Sequence, residues 1–88
     1  MATQPKPETV VQQMSTHLSK FKEMAHRTRG RLERLAEMSF EIEDELKQKE
    51  YADRVSELFT ISTQFEEKLD SLINDYEIER NRIANEAA

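Results

Sequence analysis

An all-α fold, a long two-helix antiparallel hairpin of coiled-coil type, follows from three features of the sequence. One Gly, two Pro, no Cys and no Trp among 88 residues leave few turn formers for a β fold and no thiols for a disulfide scaffold or a CxxC metal site. Apolar residues recur at alternating steps of three and four, the pattern of a helix that buries one stripe. That pattern then breaks halfway along the chain, where a straight rod would keep it in phase.

Residues 1–8 are expected to form a disordered arm, because Pro5 and Pro7 favour extended backbone. The first helix is predicted over 9–48. Thr9-Val10-Val11-Gln12 has the spacing of a capping box, in which the Thr hydroxyl and the Gln amide satisfy free backbone N–H groups. The seam then runs Val11, Met14, Leu18, Phe21, Ala25, Thr28, Leu32, Leu35, Ser39, Ile42 and Leu46. Gly30 costs about 1 kcal/mol relative to Ala in a helix interior, but the seam passes it in phase, so one continuous helix with a soft point is expected.

From Leu46 to Val55 is nine residues, where a heptad needs seven. At ~3.6 residues per turn that is about two and a half turns, which would throw the next seam to the opposite side of a continuous helix. A turn over 49–53 resolves the conflict. The second helix, predicted over 54–86 with Asp53 as its N-cap, carries the seam Val55, Leu58, Ser62, Phe65, Leu69, Leu72, Tyr76, Glu79 and Ile83.

In an antiparallel pair, facing residue numbers sum to a constant. A short turn at this place selects 104, which stacks Leu46 on Leu58, Ile42 on Ser62, Ser39 on Phe65, Leu35 on Leu69, Leu32 on Leu72, Thr28 on Tyr76, Ala25 on Glu79 and Phe21 on Ile83. Large residues face small ones in three layers, as close packing requires. A bare hairpin of this size is marginal, so completion to a bundle by self-association or by a partner helix is expected. Met38, Phe40, Tyr51, Phe59 and Ile61 lie off the seam near the turn and are the candidate partner-binding residues. Met24 and Met38 occupy positions beside the seam, where adaptable thioethers suit either a widened core or a partner.

Charge is unevenly placed. Residues 1–34 hold seven basic and three acidic side chains, +4, and residues 35–88 hold six and fifteen, −9, consistent with the net −5 of the chain. The two halves can therefore neutralise each other in a hairpin. Arg27, Arg29, Arg31 and Arg34 form the densest basic run. Its first use is to pair with the acidic second helix; its others are an acidic patch on a partner protein, or phosphates. No aromatic residue is interleaved to stack on bases, and net acidity opposes phosphate, so nucleic acid is the less favoured partner.

Catalysis is not expected. A single Gly excludes a phosphate-cradling loop, no Cys nucleophile exists, and the carboxylates Glu41, Glu43, Asp44 and Glu45 diverge around a helix. Glu23 and His26 have the Glu-x-x-His spacing of di-metal bundles, but they fall on outward positions and the spacing occurs once. His17 is half a turn out of phase with His26. No metal or cofactor is therefore called for. No stretch reaches the ~18 apolar residues of a membrane span and the N-terminus lacks the apolar core of a signal peptide, so a cytoplasmic location is expected. The resulting expectation is a non-catalytic helical interaction module, a small subunit, adaptor or chaperone that buries an apolar helix face against a partner protein or a second copy. The alternative is a small helical regulator contacting nucleic acid through residues 27–34.

Overall fold

The computed structural model describes residues 5–87 and consists of two helices, α1 (Pro7–Asp44) and α2 (Lys49–Ala87), joined by a four-residue turn. They run antiparallel in a hairpin measuring 61 × 26 × 15 Å. The all-α hairpin expected from the seam is therefore present.

The helix ends differ from the expected ones. α1 starts at Pro7, with Lys6 extended (φ −65°, ψ 141°) and making no side-chain cap. Pro is suited to the first helical position because the N–H it lacks would have no partner there. Thr9 and Gln12 thus lie inside α1, no capping box forms, and Pro7 and Glu8, expected in the arm, are helical. Residues 1–4 of that arm lie outside the described residues.

The turn occupies 45–48, not 49–53. Glu41, Glu43 and Asp44 crowd carboxylates into the last turn of α1, where no basic residue stands, and the helix dipole is negative there. Lys47 takes a left-handed conformation (φ 56°), which reverses the chain. The N–H of Gln48 then returns to the carbonyl of Ile42 at 3.1 Å. Glu50 and Asp53 sit in the opening residues of α2, at its positive end, with Lys49 paired to Asp53 at 3.6 Å. Leu46, expected to close the seam, is exposed in the turn.

Moving the turn moves the register. Ser39 bonds to the carbonyl of Ala52 at 3.1 Å and meets the Ser56 hydroxyl at 2.8 Å; His17 meets Tyr76 at 2.9 Å; Arg80 reaches Ser15 at 3.4 Å. These pairs sum to between 91 and 95, not 104, an offset of about ten residues or ~15 Å along the axis. The α1 seam holds from Val11 to Ile42, with Met14, Leu18, Ala25 and Thr28 buried. In α2 only half of the expected seam is retained.

Val55, Ser62, Leu69, Tyr76 and Ile83 do face α1. The alternate positions do not: Leu58 is 53% exposed, Phe65 49% and Leu72 43%, against 6% for Leu69. Their places are taken by Ala52, Glu66, Ile73 and Arg80, with Phe59 at the margin. The apolar arc of α2 is wider than one helix can cover, so α1 covers one side of it and leaves the other open. Gly30 lies within the unbroken α1, outermost on the helix and with nothing within 4 Å of where a Cβ would stand.

Candidate interaction face

The two flanks of the seam have opposite chemistry. On one, the charged residues beside the α1 seam meet carboxylates of α2. Lys22 approaches Glu77 at 3.9 Å, and Arg29 approaches Glu66 at 3.5 Å and Asp70 at 3.9 Å. Arg80 lies between Ser15 and Glu77. Most of these side chains are about half exposed, so each pair contributes only a few tenths of a kcal/mol. Their effect is on register and on which flank closes. Glu66 sits in the seam near Thr28 with one carboxylate oxygen turned to Arg29 and the other, Oε2, buried without a partner. Thr28 itself directs its hydroxyl to the Met24 carbonyl at 2.8 Å.

The other flank is apolar. Tyr51, Leu58, Phe65 and Leu72 recur every seven residues along α2, with Ile61 in the adjoining column, and all are exposed. Helical phase places Met24, Arg31 and Met38, also seven apart, on the same flank of α1. Two shallow grooves run along this flank, and Arg31 of the α1 column lines one of them. One is bounded by Thr28, Arg31, Ile61, Ser62 and Phe65, and the other, nearer the turn, by Ile42, Tyr51, Val55, Leu58 and Ile61 with Arg54 and Glu57 at its edge. The guanidinium of Arg54 stands 5.8 Å from the Tyr51 ring centre, within cation–π range. Toward the open end, Phe21 and Tyr76 pack edge to face at 5.7 Å with His17 beside them.

Of the five candidate partner-binding residues, the structure brings Met38, Tyr51 and Ile61 onto this flank. Phe59 turns to the charged side of α2. Phe40 is two residues, about 200°, from Met38 and points outward from α1 at 66% exposed. Leu58, Phe65 and Leu72 belong to the face and were absent from the expected set; Met24, for which a widened core and a partner were both expected uses, is 48% exposed on it. The sequence does contain their signal, since α2 has three parallel apolar columns, but only the position of the turn decides which column is left outside.

The four arginines do not act together. Arg27 pairs with Glu23 on its own helix, and Arg29 is held by Glu66 and Asp70. Arg31 and Arg34, with His26 and Arg27, line a shallow hollow over Gly30. Arg82, near the end of α2, is flanked by Glu79 and Glu86, and hydrogen bonds to the two, Glu79 first, raise its pKa above the usual value. Glu23 and His26 are both exposed, and no three metal-ligating side chains converge among the described residues. No described helix is long and apolar enough to cross a membrane.

The chain matches no family model, no curated protein and no solved structure.

Proposed function

We propose that this chain is a non-catalytic helical interaction module, a small subunit, adaptor or chaperone that completes a helical bundle by burying the apolar flank of its hairpin. The observation that carries the reading is the column Tyr51, Leu58, Phe65 and Leu72, left about half exposed beside Met24 and Met38. Together with Ile61, 61% exposed, these side chains form a run of large, half-exposed apolar residues along one flank, and a clustered exposed apolar patch of this kind marks an interaction surface. Helix-in-groove recognition fits a face built between two helices.

A Leu58→Asp, Phe65→Asp double variant tests it. Because both residues are half exposed, helicity by circular dichroism should be retained, while association, read as molar mass in solution and as retention of bound protein, should be lost. Unchanged association would refute the reading. A nucleic-acid regulator has less support: Arg29 and Arg27 are already engaged by carboxylates. It would show as retention on a filter at low salt that weakens steeply as salt is raised.

A further inference from the structure

Resting on the interaction reading, we propose that the occupant of the apolar flank is an amphipathic helix of another protein whose apolar stripe is edged by acidic residues, and not a second copy of this chain. Charge distinguishes the two occupants. Between Lys20 and Met38 on α1, and between Tyr51 and Leu72 on α2, the face and its outer edge comprise two columns on each helix. On α1 these are Met24, Arg31 and Met38, with Lys20, Arg27 and Arg34 outside them. On α2 they are Tyr51, Leu58, Phe65 and Leu72, with Arg54, Ile61 and Lys68 outside.

These positions hold six cations and seven large apolar residues. None of the chain's 18 carboxylates stands in these four columns, although the chain is net −5; Glu57, one column further out on α2, reaches the edge of the groove nearer the turn. Arg31, Arg34, Arg54, Lys20 and Lys68 lie within salt-bridge distance of no carboxylate among the described residues; Arg27 alone is paired, to Glu23. One heptad further, the α1 columns turn acidic toward the turn (Glu41, Glu45) and the α2 columns toward the open end (Asp75, Glu79), while the α1 columns run on to Gln13 and His17 at the open end. Each helix thus closes the cationic, apolar window with acid at one of its ends. From Tyr51 to Leu72 it extends about 32 Å, or six helical turns, which sets the length of the helix it accepts.

A second copy does not satisfy this surface. Stacked face to face, with its two-fold axis either along or across the helices, it brings the cations of one edge against those of the other, and like charges across an interface are penalised. A helix with Glu or Asp at the edges of a Leu-rich stripe supplies both the missing apolar cover and the missing counter-charges. An anionic bilayer also combines these two properties, but it is flat, whereas the floor here is a groove between helices with Thr28 and Ser62 at its base.

The test uses a displayed library of 25-residue helices with a fixed Leu seam and edge positions randomised among Glu, Gln and Lys, selected against the full chain. Glu should be enriched at the edges. A selected helix with its edge residues changed to Lys should bind on the order of tenfold more weakly at low salt, a gap that closes at high salt. The Arg31→Glu, Arg34→Glu variant, its helicity checked by circular dichroism, should instead enrich Lys.

Enrichment of Lys or of no residue type by the unaltered chain overturns the acidic edge, while leaving the interaction reading intact if Leu58→Asp still abolishes binding. Doubled molar mass that Leu58→Asp reverts to monomer assigns the face to a second copy and overturns the proposal. So does Leu58-dependent binding to phosphatidylserine vesicles with no helix selected. If no helix is selected, the mass is monomeric and Leu58→Asp changes nothing, the interaction reading itself falls.

Discussion

Replacing Ser39 and Ser56 by cysteine probes the register directly. Their hydroxyl oxygens stand 2.8 Å apart, which bounds the Cβ atoms at under about 6 Å, close to the ~4 Å a disulfide adopts. The doubly substituted Ser39→Cys, Ser56→Cys chain should therefore oxidise within one molecule. The bond closes a loop of 18 residues around the turn, and chain-entropy arithmetic gives a stabilisation of about 3 kcal/mol at 25 °C. Urea unfolding of the oxidised and reduced forms measures that difference, and mobility on a non-reducing gel separates internal from intermolecular bonds. The control is Leu35→Cys with Leu69→Cys, the pair that a sum of 104 brings together. Here the level of Leu35 on α2 is near Phe59, so Leu69 is about 15 Å along the axis, beyond the ~7 Å Cα limit. An internal bond in the control and none in the Ser pair would refute the register and the turn at 45–48 with it.

Three further outcomes follow from local geometry. Gly30→Ala adds a methyl to open space in a helix interior and should stabilise by about 1 kcal/mol in urea unfolding. Lys47→Gly, at the left-handed turn position, should raise the melting midpoint by removing strain of about 1 kcal/mol. Leu69→Ala should cost about 2–5 kcal/mol while Leu72→Ala, on the open flank, costs under about 1; equal losses would mean that α2 is rotated from the phase described.

How far the sequence discloses this fold depends on which signal is consulted. The α1 seam is legible residue by residue from Val11 to Ile42, because α1 has one apolar column pair and nothing competes with it. The break between the helices is legible too, as a phase jump. Its position is not: the jump is defined only between the last clear seam residue and the next, and Leu46 looks apolar enough to be counted in. The end of α1 is set instead by carboxylates at a negative helix terminus and by a lysine in a conformation that glycine usually supplies. Misplacing the turn by a few residues shifts the register by about ten, and with it the choice among the three columns of α2. That is why Leu58, Phe65 and Leu72 read as core when they form the exposed face, and why Phe40 and Phe59 read as face residues when they point elsewhere. Pattern alone ranks stripes by greasiness; the hairpin closes on the flank where Lys22 and Arg29 find Glu66, Asp70 and Glu77.

The same division of α2 makes the stability of the hairpin depend on its occupant. Among the described residues only Met14, Leu18, Ala25, Thr28, Ala52 and Leu69 are buried, and two of these are alanines. Glu66 and Arg80 occupy seam positions that leucines would otherwise fill. A seam this thin leaves little margin, whereas the open flank holds larger side chains than the seam does. A helix that binds the folded hairpin and not the unfolded chain adds RT ln(1 + [L]/Kd), about 2.7 kcal/mol at a hundredfold excess over Kd. Titrating a selected Glu-edged helix should therefore move the thermal midpoint upward without saturating, rising with the logarithm of its concentration. In the Leu58→Asp variant the midpoint without helix should stay near that of the parent, since Leu58 is half exposed, and the rise should vanish. A variant that loses its own stability as well would place Leu58 inside the hairpin's core and return the face to the seam.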